Sequence, residues 1–322
     1  MKTRQLGKLT VSKVGMGCMA FSHGYGKIPP EKYSIEAIRN AYSHGCTFFD
    51  TAEVYSPNLS GIGHNERIVG KALHDVRENV VLATKLFLNQ SEVRHGGSVY
   101  RAVRSHLEDS MDRLQTDMVD LYYLHRMSGV SIEEIAEAMG LLMEDGMIRG
   151  WGLSQVDVGV IDRAHKVTPL TAIQNIYSMV ERDVEAAVIP YCLEHGIGVV
   201  PFSPIASGLL SGKITTKTKF ERNDDVRNWV PQLSKANIAG NQPIIDLLQE
   251  FADKKHATSA QISLAWMLHK YPNVVPIPGS KNKERIIENL DASEVELTEE
   301  EFQSLEERLN QCKVYGHRGF SR

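Results

Sequence analysis

Val80-Val81-Leu82-Ala83-Thr84-Lys85, Val119-Asp120-Leu121-Tyr122-Tyr123-Leu124 and Ile148-Arg149-Gly150-Trp151-Gly152-Leu153-Ser154 are three short runs rich in β-branched and other apolar residues. Each gap between them holds one amphipathic stretch, residues 98–114 in the first and 131–145 in the second. A short apolar run, a helical period and another apolar run read as strand, helix, strand. The pattern continues in both directions. Upstream lie strand runs at 14–18 and 47–50 and helical periods at 30–44 and 65–73. Downstream lie runs at 172–175, 198–202 and 274–277, with helical periods at 156–165, 184–195, 241–256 and 283–290. A doubly wound open sheet shares the first half of this pattern but rarely sustains eight units. Eight strands alternating with eight helices predict an α/β fold, a (β/α)8 TIM barrel, as one domain over residues 1–322.

Three segments break the alternation. Met1-Lys2-Thr3-Arg4-Gln5-Leu6-Gly7-Lys8-Leu9-Thr10-Val11 has Leu-Gly-Lys between short extended stretches and predicts an N-terminal hairpin closing the barrel bottom. Residues 203–240 form a long polar stretch punctuated by Gly and Pro after the seventh strand. A loop of that length is usually functional, and it leaves the strand ends at which barrel active sites lie. Leu297-Thr298-Glu299-Glu300-Glu301 is a capped helix start and predicts an extra C-terminal helix to Asn310.

Composition narrows the function. The 322 residues are 42% hydrophobic and 24% charged, with 36 Lys plus Arg against 40 Asp plus Glu. This balance has no basic excess to recruit nucleic acid or anionic lipid. Apolar runs such as 197–202 are far shorter than the ~20 residues of a membrane span. The first residues lack the apolar stretch of a signal peptide, so a cytoplasmic protein is expected. Cys18, Cys46, Cys192 and Cys312 form no CxxC pair and read as thiols without a disulfide or metal role. The twelve histidines show no ligand spacing, and no metal is expected. Gly15-Met16-Gly17-Cys18-Met19-Ala20 matches a dinucleotide pattern, but Gly- and Pro-rich loop follows where a helix should open. Gly208 to Lys213 lacks phosphate-loop spacing, and Gly152-Leu153-Ser154-Gln155-Val156 lacks the closing glycine of a nucleophile elbow.

Polar residues at strand ends remain. Asp50 ends the second strand, Lys85 the third and His125 the fourth, and Tyr55 follows Asp50 closely. In a barrel these ends converge on one mouth. An adjacent ammonium lowers the pKa of a phenol, so Lys85, held by Asp50, is expected to acidify Tyr55.

With Asp50-Thr51-Ala52-Glu53-Val54-Tyr55, Ala83-Thr84-Lys85, Leu124-His125-Arg126, Gly152-Leu153-Ser154, Ile173-Gln174-Asn175, Pro201-Phe202-Ser203-Pro204, Gly208-Leu209-Leu210-Ser211-Gly212-Lys213 and Pro278-Gly279-Ser280-Lys281, the chain resembles the aldo-keto reductase superfamily over nearly its whole length. It is more similar to the bacterial, plant and fungal branches and the potassium-channel β-subunits than to the human aldose-reductase-like branch. The resemblance implies NADPH-linked reduction of a small-molecule carbonyl without metal or flavin. It implies Tyr55 as proton donor, Lys85 and Asp50 as its tuning pair and His125 orienting the carbonyl oxygen. It implies Ser154 and Gln174 on the nicotinamide carboxamide, and Phe202 stacked on the ring where relatives often carry Tyr. Gln155 stands where they often carry Asn. The rest of the implied NADPH/NADP+ site is Gly17, Ser203, Pro204, Gly208, Leu209, Gly212, Lys213, Gly279, Ser280, Lys281, Arg285, Glu288 and Asn289. Two functions are compatible with this pattern: an aldehyde, ketone or quinone reductase, and a nucleotide-sensing regulatory module with slow turnover.

Overall fold

The computed structural model describes residues 1–57, 61–220 and 225–319. The chain opens with strands β1 (Thr3–Leu6) and β2 (Leu9–Ser12), an antiparallel hairpin turning at Gly7-Lys8. Seven parallel strands follow: β3 (Met16–Gly17), β4 (Phe48–Asp50), β5 (Val81–Leu86), β6 (Val119–Leu124), β7 (Ile148–Ser154), β8 (Ala172–Gln174) and β9 (Gly198–Val199). They pair in chain order. The circle closes through residues 274–279, which bridge Val199 at Val274 and Gly17 at Gly279. The eighth stave of the (β/α)8 barrel is thus an extended segment with few ladder bonds. Pro276 and Pro278 carry no N–H to donate. The bonds that remain include Val275 N to Val199 O at 2.8 Å and Ile277 N to Pro201 O at 3.1 Å.

Helices α1 (Glu31–Ser43), α2 (His64–Leu73), α3 (Gln90–Gly96), α4 (Val99–Leu114), α5 (Ile132–Glu144), α6 (Val158–Val167), α7 (Val188–Glu194), α8 (Lys235–Gly240), α9 (Gln242–Lys255), α10 (Ser259–Lys270), α11 (Lys283–Asp291) and α12 (Glu299–Gln311) complete the elements. Strict alternation is therefore corrected: α3, α8 and α10 are additional. Helix α10 carries a legible start, with the Thr258 side chain on the Gln261 N–H and Gln261 reaching back to the Thr258 N–H. Its body, Ser259-Ala260-Gln261-Ile262-Ser263-Leu264-Ala265-Trp266-Met267-Leu268, is buried on nearly every side. A helix apolar all round has no 3.6-residue stripe to detect. Helix α12 begins at the expected capping box, with Thr298 Oγ1 accepting from Glu301 N at 3.2 Å and Glu301 Oε2 from Thr298 N at 2.7 Å.

The core has two parts. Outer strand faces pack against the helices around the fully buried Trp151 and Trp266. Inside the barrel, Phe48, Val81, Ala83, Leu121, Tyr123, Ala172, Val200 and Val275 stack as one cluster, which Leu6, Leu9 and Val11 of the hairpin plug from below. Gly152 leaves room for the Tyr123 ring, and Gly198 leaves room for Leu6; a Cβ at either would collide with that side chain.

Candidate active site

Along a strand, alternate residues face the same way. Phe48, Val81 with Ala83, Leu121 with Tyr123, Ala172, Val200 and Val275 with Ile277 face the interior. Two residues further along each stave the same face carries Asp50, Lys85, His125, Gln174, Phe202 and Gly279, and Ser154 pairs with Gln174 across β7 and β8. Apolar filling thus gives way to functional groups at the C-terminal mouth. Of these, Asp50, His125, Ser154, Gln174, Phe202 and Gly279 line one cavity of about 240 Å³, together with Tyr55.

At its floor Lys85 is fully buried. Its Nζ lies 2.5 Å from Asp50 Oδ1, 2.6 Å from the Thr51 carbonyl and 3.3 Å from Tyr55 Oη. Gln174 Nε2 donates to the other Asp50 oxygen at 2.8 Å. The His125 ring meets the Tyr55 ring edge-on, with centroids 5.8 Å apart. Burial opposes the Lys85 charge, but Asp50 and Tyr55 together hold its pKa above the ordinary lysine value. Burial also pushes the Tyr55 phenol up, against the pull of the Lys85 ammonium. Acidification of Tyr55 is therefore corrected for this structure: desolvation outweighs the neighbouring charge, and the phenol keeps its proton at neutral pH. Burial, with Lys85 and Arg126 nearby, drives the His125 imidazole well below its usual value, so it is neutral. Its Nδ1 is buried with no hydrogen-bond partner among the described residues.

A second cavity of about 310 Å³ shares Ala20, Tyr25, Ser203 and Gly279 with the first. Pro204, Gly208, Lys213, Ser280, Lys281, Arg285, Glu288 and Asn289 line it. Ser203, Ala206 and Ser207 have φ of 52°, 48° and 54°, and Gly208 follows at 99°. Three non-glycine residues in the left-handed region within one turn is a costly backbone, of the kind that clusters at ligand clamps. The Ser207 hydroxyl, on the lining, is buried without a partner among the described residues.

Three expected contacts are not brought to either cavity. The Gln155 side chain turns away and accepts from Ile176 N at 2.8 Å. Leu209 is fully buried in the core. Gly212, at φ 68°, ends the preceding helical turn. Lys281 lines the groove, but its ammonium is taken up by the Tyr25 and Lys27 carbonyls at 2.6 Å each. Lys213 pairs with Glu288 at 3.0 Å. The Asn282 side chain caps α11 by accepting from Arg285 N at 2.8 Å, so that N–H is already occupied. Tyr25, Ser207 and Arg227 line the groove, and Arg126 and Arg318 the deeper cavity, without having been read from sequence. They sit in loops and the tail, where no period marks them. Among the described residues no cluster of three or more His, Cys, Asp or Glu could hold a metal ion. No helix among them is long and apolar enough to cross a membrane.

The barrel, the convergent strand ends and the two cavities that share lining residues define a class, a TIM barrel with one site at its C-terminal mouth. The chain belongs to the aldo/keto reductase family, whose model matches residues 13–310. It is 36% identical over 316 residues, 97% of this chain and 89% of the relative, to a probable aldo-keto reductase 1 of Glycine max. Among solved structures it is similar to the glycerol dehydrogenase of Gluconobacter oxydans, at TM-score 0.84 and 26% identity, covering 99% of this chain and 98% of that one. It is also similar to an aldo/keto reductase from Klebsiella pneumoniae in complex with NADP and acetate, at TM-score 0.75 and 27% identity, covering 100% and 99%.

Proposed function

We propose that this chain reduces aldehydes, and by the same chemistry ketones or quinones, to alcohols with NADPH. The observation that carries the reading is the Lys85 ammonium set between Asp50 Oδ1 and Tyr55 Oη, beside a neutral His125. The two joined cavities fit a dinucleotide: a Ser207 hydroxyl with no partner among the described residues and a left-handed backbone face the groove, and an aromatic face with two polar side chains faces the deeper end. Phe202, Ser154 and Gln174 would hold the nicotinamide end, and Ser203, Gly208, Ser280, Arg285 and Asn289 the remainder. Bound NADPH supplies the hydride.

The protein's own part is protonation and orientation. His125, neutral and adjacent to Tyr55, directs the carbonyl oxygen by a hydrogen bond. Tyr55 Oη gives that oxygen its proton as negative charge develops there, and Lys85 stabilises the phenolate left behind. Asp50 keeps the lysine charged and aimed. An activated aldehyde such as 4-nitrobenzaldehyde is expected to cause loss of NADPH absorbance with saturation kinetics. NADPH binding without consumption of any aldehyde would overturn the reading and favour the nucleotide-sensing alternative.

The segment 203–240 is proposed as a cover over the nucleotide; residues 221–224 of it lie outside the described residues. Val226 N donates to Gly24 O at 2.9 Å, and Tyr25 bridges Asp225. The Arg227 guanidinium lies 5.4 Å from the Tyr25 ring centroid and 4.6 Å from that of Phe220. With Lys281 gripping Tyr25 from the far bank, these contacts form a strap across the groove. A cover that excludes water must also open for exchange, usually within about μs–ms. Amide exchange in 203–220 and 225–240 is expected to slow when NADP+ is added. Identical exchange with and without the nucleotide counts against a cover.

A further inference from the structure

The deeper cavity contains two arginines that the hydride-transfer reading does not use. Arg126 follows His125 and places Nη1 3.0 Å from Ser154 Oγ. Arg318 comes from the C-terminal tail, more than a hundred residues from its neighbour Ser203, whose Oγ accepts from Arg318 Nε at 3.0 Å. It is 7% exposed. Both line the cavity with Tyr55 and His125.

The tail is fixed in place rather than loosely apposed. Fully buried Asn241 bonds the Tyr315 backbone twice, Nδ2 to Tyr315 O at 2.8 Å and Tyr315 N to Oδ1 at 3.0 Å. The His317 carbonyl accepts from Gln232 N at 3.2 Å, and Glu181 accepts from Arg318 N. A Cβ at Gly316, where φ is 77°, would meet Gln232 N at 2.8 Å, so the tail runs hard against that segment. These contacts deliver the Arg318 side chain to the cavity.

Among the described residues that line the cavity the charge balance is one-sided, while just outside it the Glu181 carboxylate accepts from Arg318 N. Among the described lining residues Asp50 is the sole carboxylate, and it is engaged by Lys85 and Gln174. Guanidinium does not lose its proton at physiological pH. Two such charges in a concave, partly apolar space raise the local concentration of anions, and a planar fork suits a carboxylate. Resting on the reductase reading above, we infer that the substrates are carbonyl compounds bearing a carboxylate or similar anion, held by Arg126 and Arg318 while the carbonyl faces Tyr55 and His125.

The test uses the full chain. In calorimetry on the NADPH-loaded protein, benzoate is expected to bind about tenfold or more tightly than benzyl alcohol, the effect of one charge-assisted hydrogen bond. In turnover, 4-carboxybenzaldehyde is expected to show a KM lower than that of benzaldehyde by a similar factor. Both ratios are expected to collapse toward one in Arg318→Gln and Arg126→Gln and to be partly restored in Arg318→Lys, with NADPH affinity setting aside any loss of fold. Equal binding of benzoate and benzyl alcohol overturns the inference. So does a preference that survives both glutamine variants, or a variant that weakens NADPH and benzoate by the same factor, which assigns the arginines to the nucleotide. If neither aldehyde is reduced but benzoate binding depends on Arg318, the reductase reading falls and the anion site stands.

Discussion

Tyr55→Phe is expected to lower the rate constant for carbonyl reduction by about 10²–10⁴-fold, the usual share of general acid catalysis, and to leave NADPH affinity nearly unchanged. The substitution removes one oxygen and leaves the ring that meets His125 edge-on at 5.8 Å. Proton donation is made only in the transition state, so the loss falls on the rate constant and not on ground-state binding. The Lys85 ammonium keeps Asp50 Oδ1 at 2.5 Å and the Thr51 carbonyl at 2.6 Å after Oη is gone, so the buried charge stays paired and the fold persists. Because burial holds the phenol above its ordinary pKa, its proton is present throughout the neutral range. Single-turnover absorbance measurements, with hydride transfer limiting, decide the matter. A variant retaining more than about a tenth of the wild-type rate constant shows that another group donates the proton.

Much of this site was legible because a barrel converts sequence position into spatial position. Once Val80 to Lys85 and Val119 to Leu124 are read as adjacent parallel strands, the period of two assigns Lys85 and His125 to the interior at the mouth. The paired register, Lys85 opposite Tyr123, gives that arrangement. Other features left no such trace. Helix α10 is buried nearly all round and lacks a stripe. The eighth stave did show as the apolar run 274–277, although Pro276 and Pro278 leave it with isolated bridges in place of a regular ladder. The direction of the Tyr55 shift depends on the depth of burial against the strength of one ammonium contact at 3.3 Å, a balance that residue types alone do not contain. Arg318 is one of three Lys or Arg residues in the tail, and the buried Asn241 and Gln232, with Glu181, explain why it is the one at the cavity. Lys281 had the right sign of charge but a nearer use, since two carbonyls of the opposite loop reach it first.

That use of Lys281 concentrates the nucleotide preference on Arg285. With Lys281 bound to the Tyr25 and Lys27 carbonyls and Lys213 paired with Glu288, Arg285 lines the groove at the start of α11 with no side-chain bond of its own among the described residues. The helix dipole favours an anion there, although Asn282 already accepts the Arg285 N–H at 2.8 Å. A ribose hydroxyl has little need of a guanidinium, whereas a 2′-phosphate gains a charge-assisted hydrogen bond. Such a bond contributes about 1.5–3 kcal/mol, or roughly 10- to 150-fold in affinity. Arg285 is exposed, so screening by solvent and salt places the effect toward the lower end. Wild-type protein is thus expected to prefer NADPH over NADH strongly. Arg285→Ala is expected to raise the NADPH dissociation constant by about tenfold or more while NADH stays within about threefold. Fluorescence titration at moderate salt measures both. Equal affinities of the wild type for the two nucleotides, or equal losses in the variant, would mean that the groove does not recognise the phosphate through this side chain.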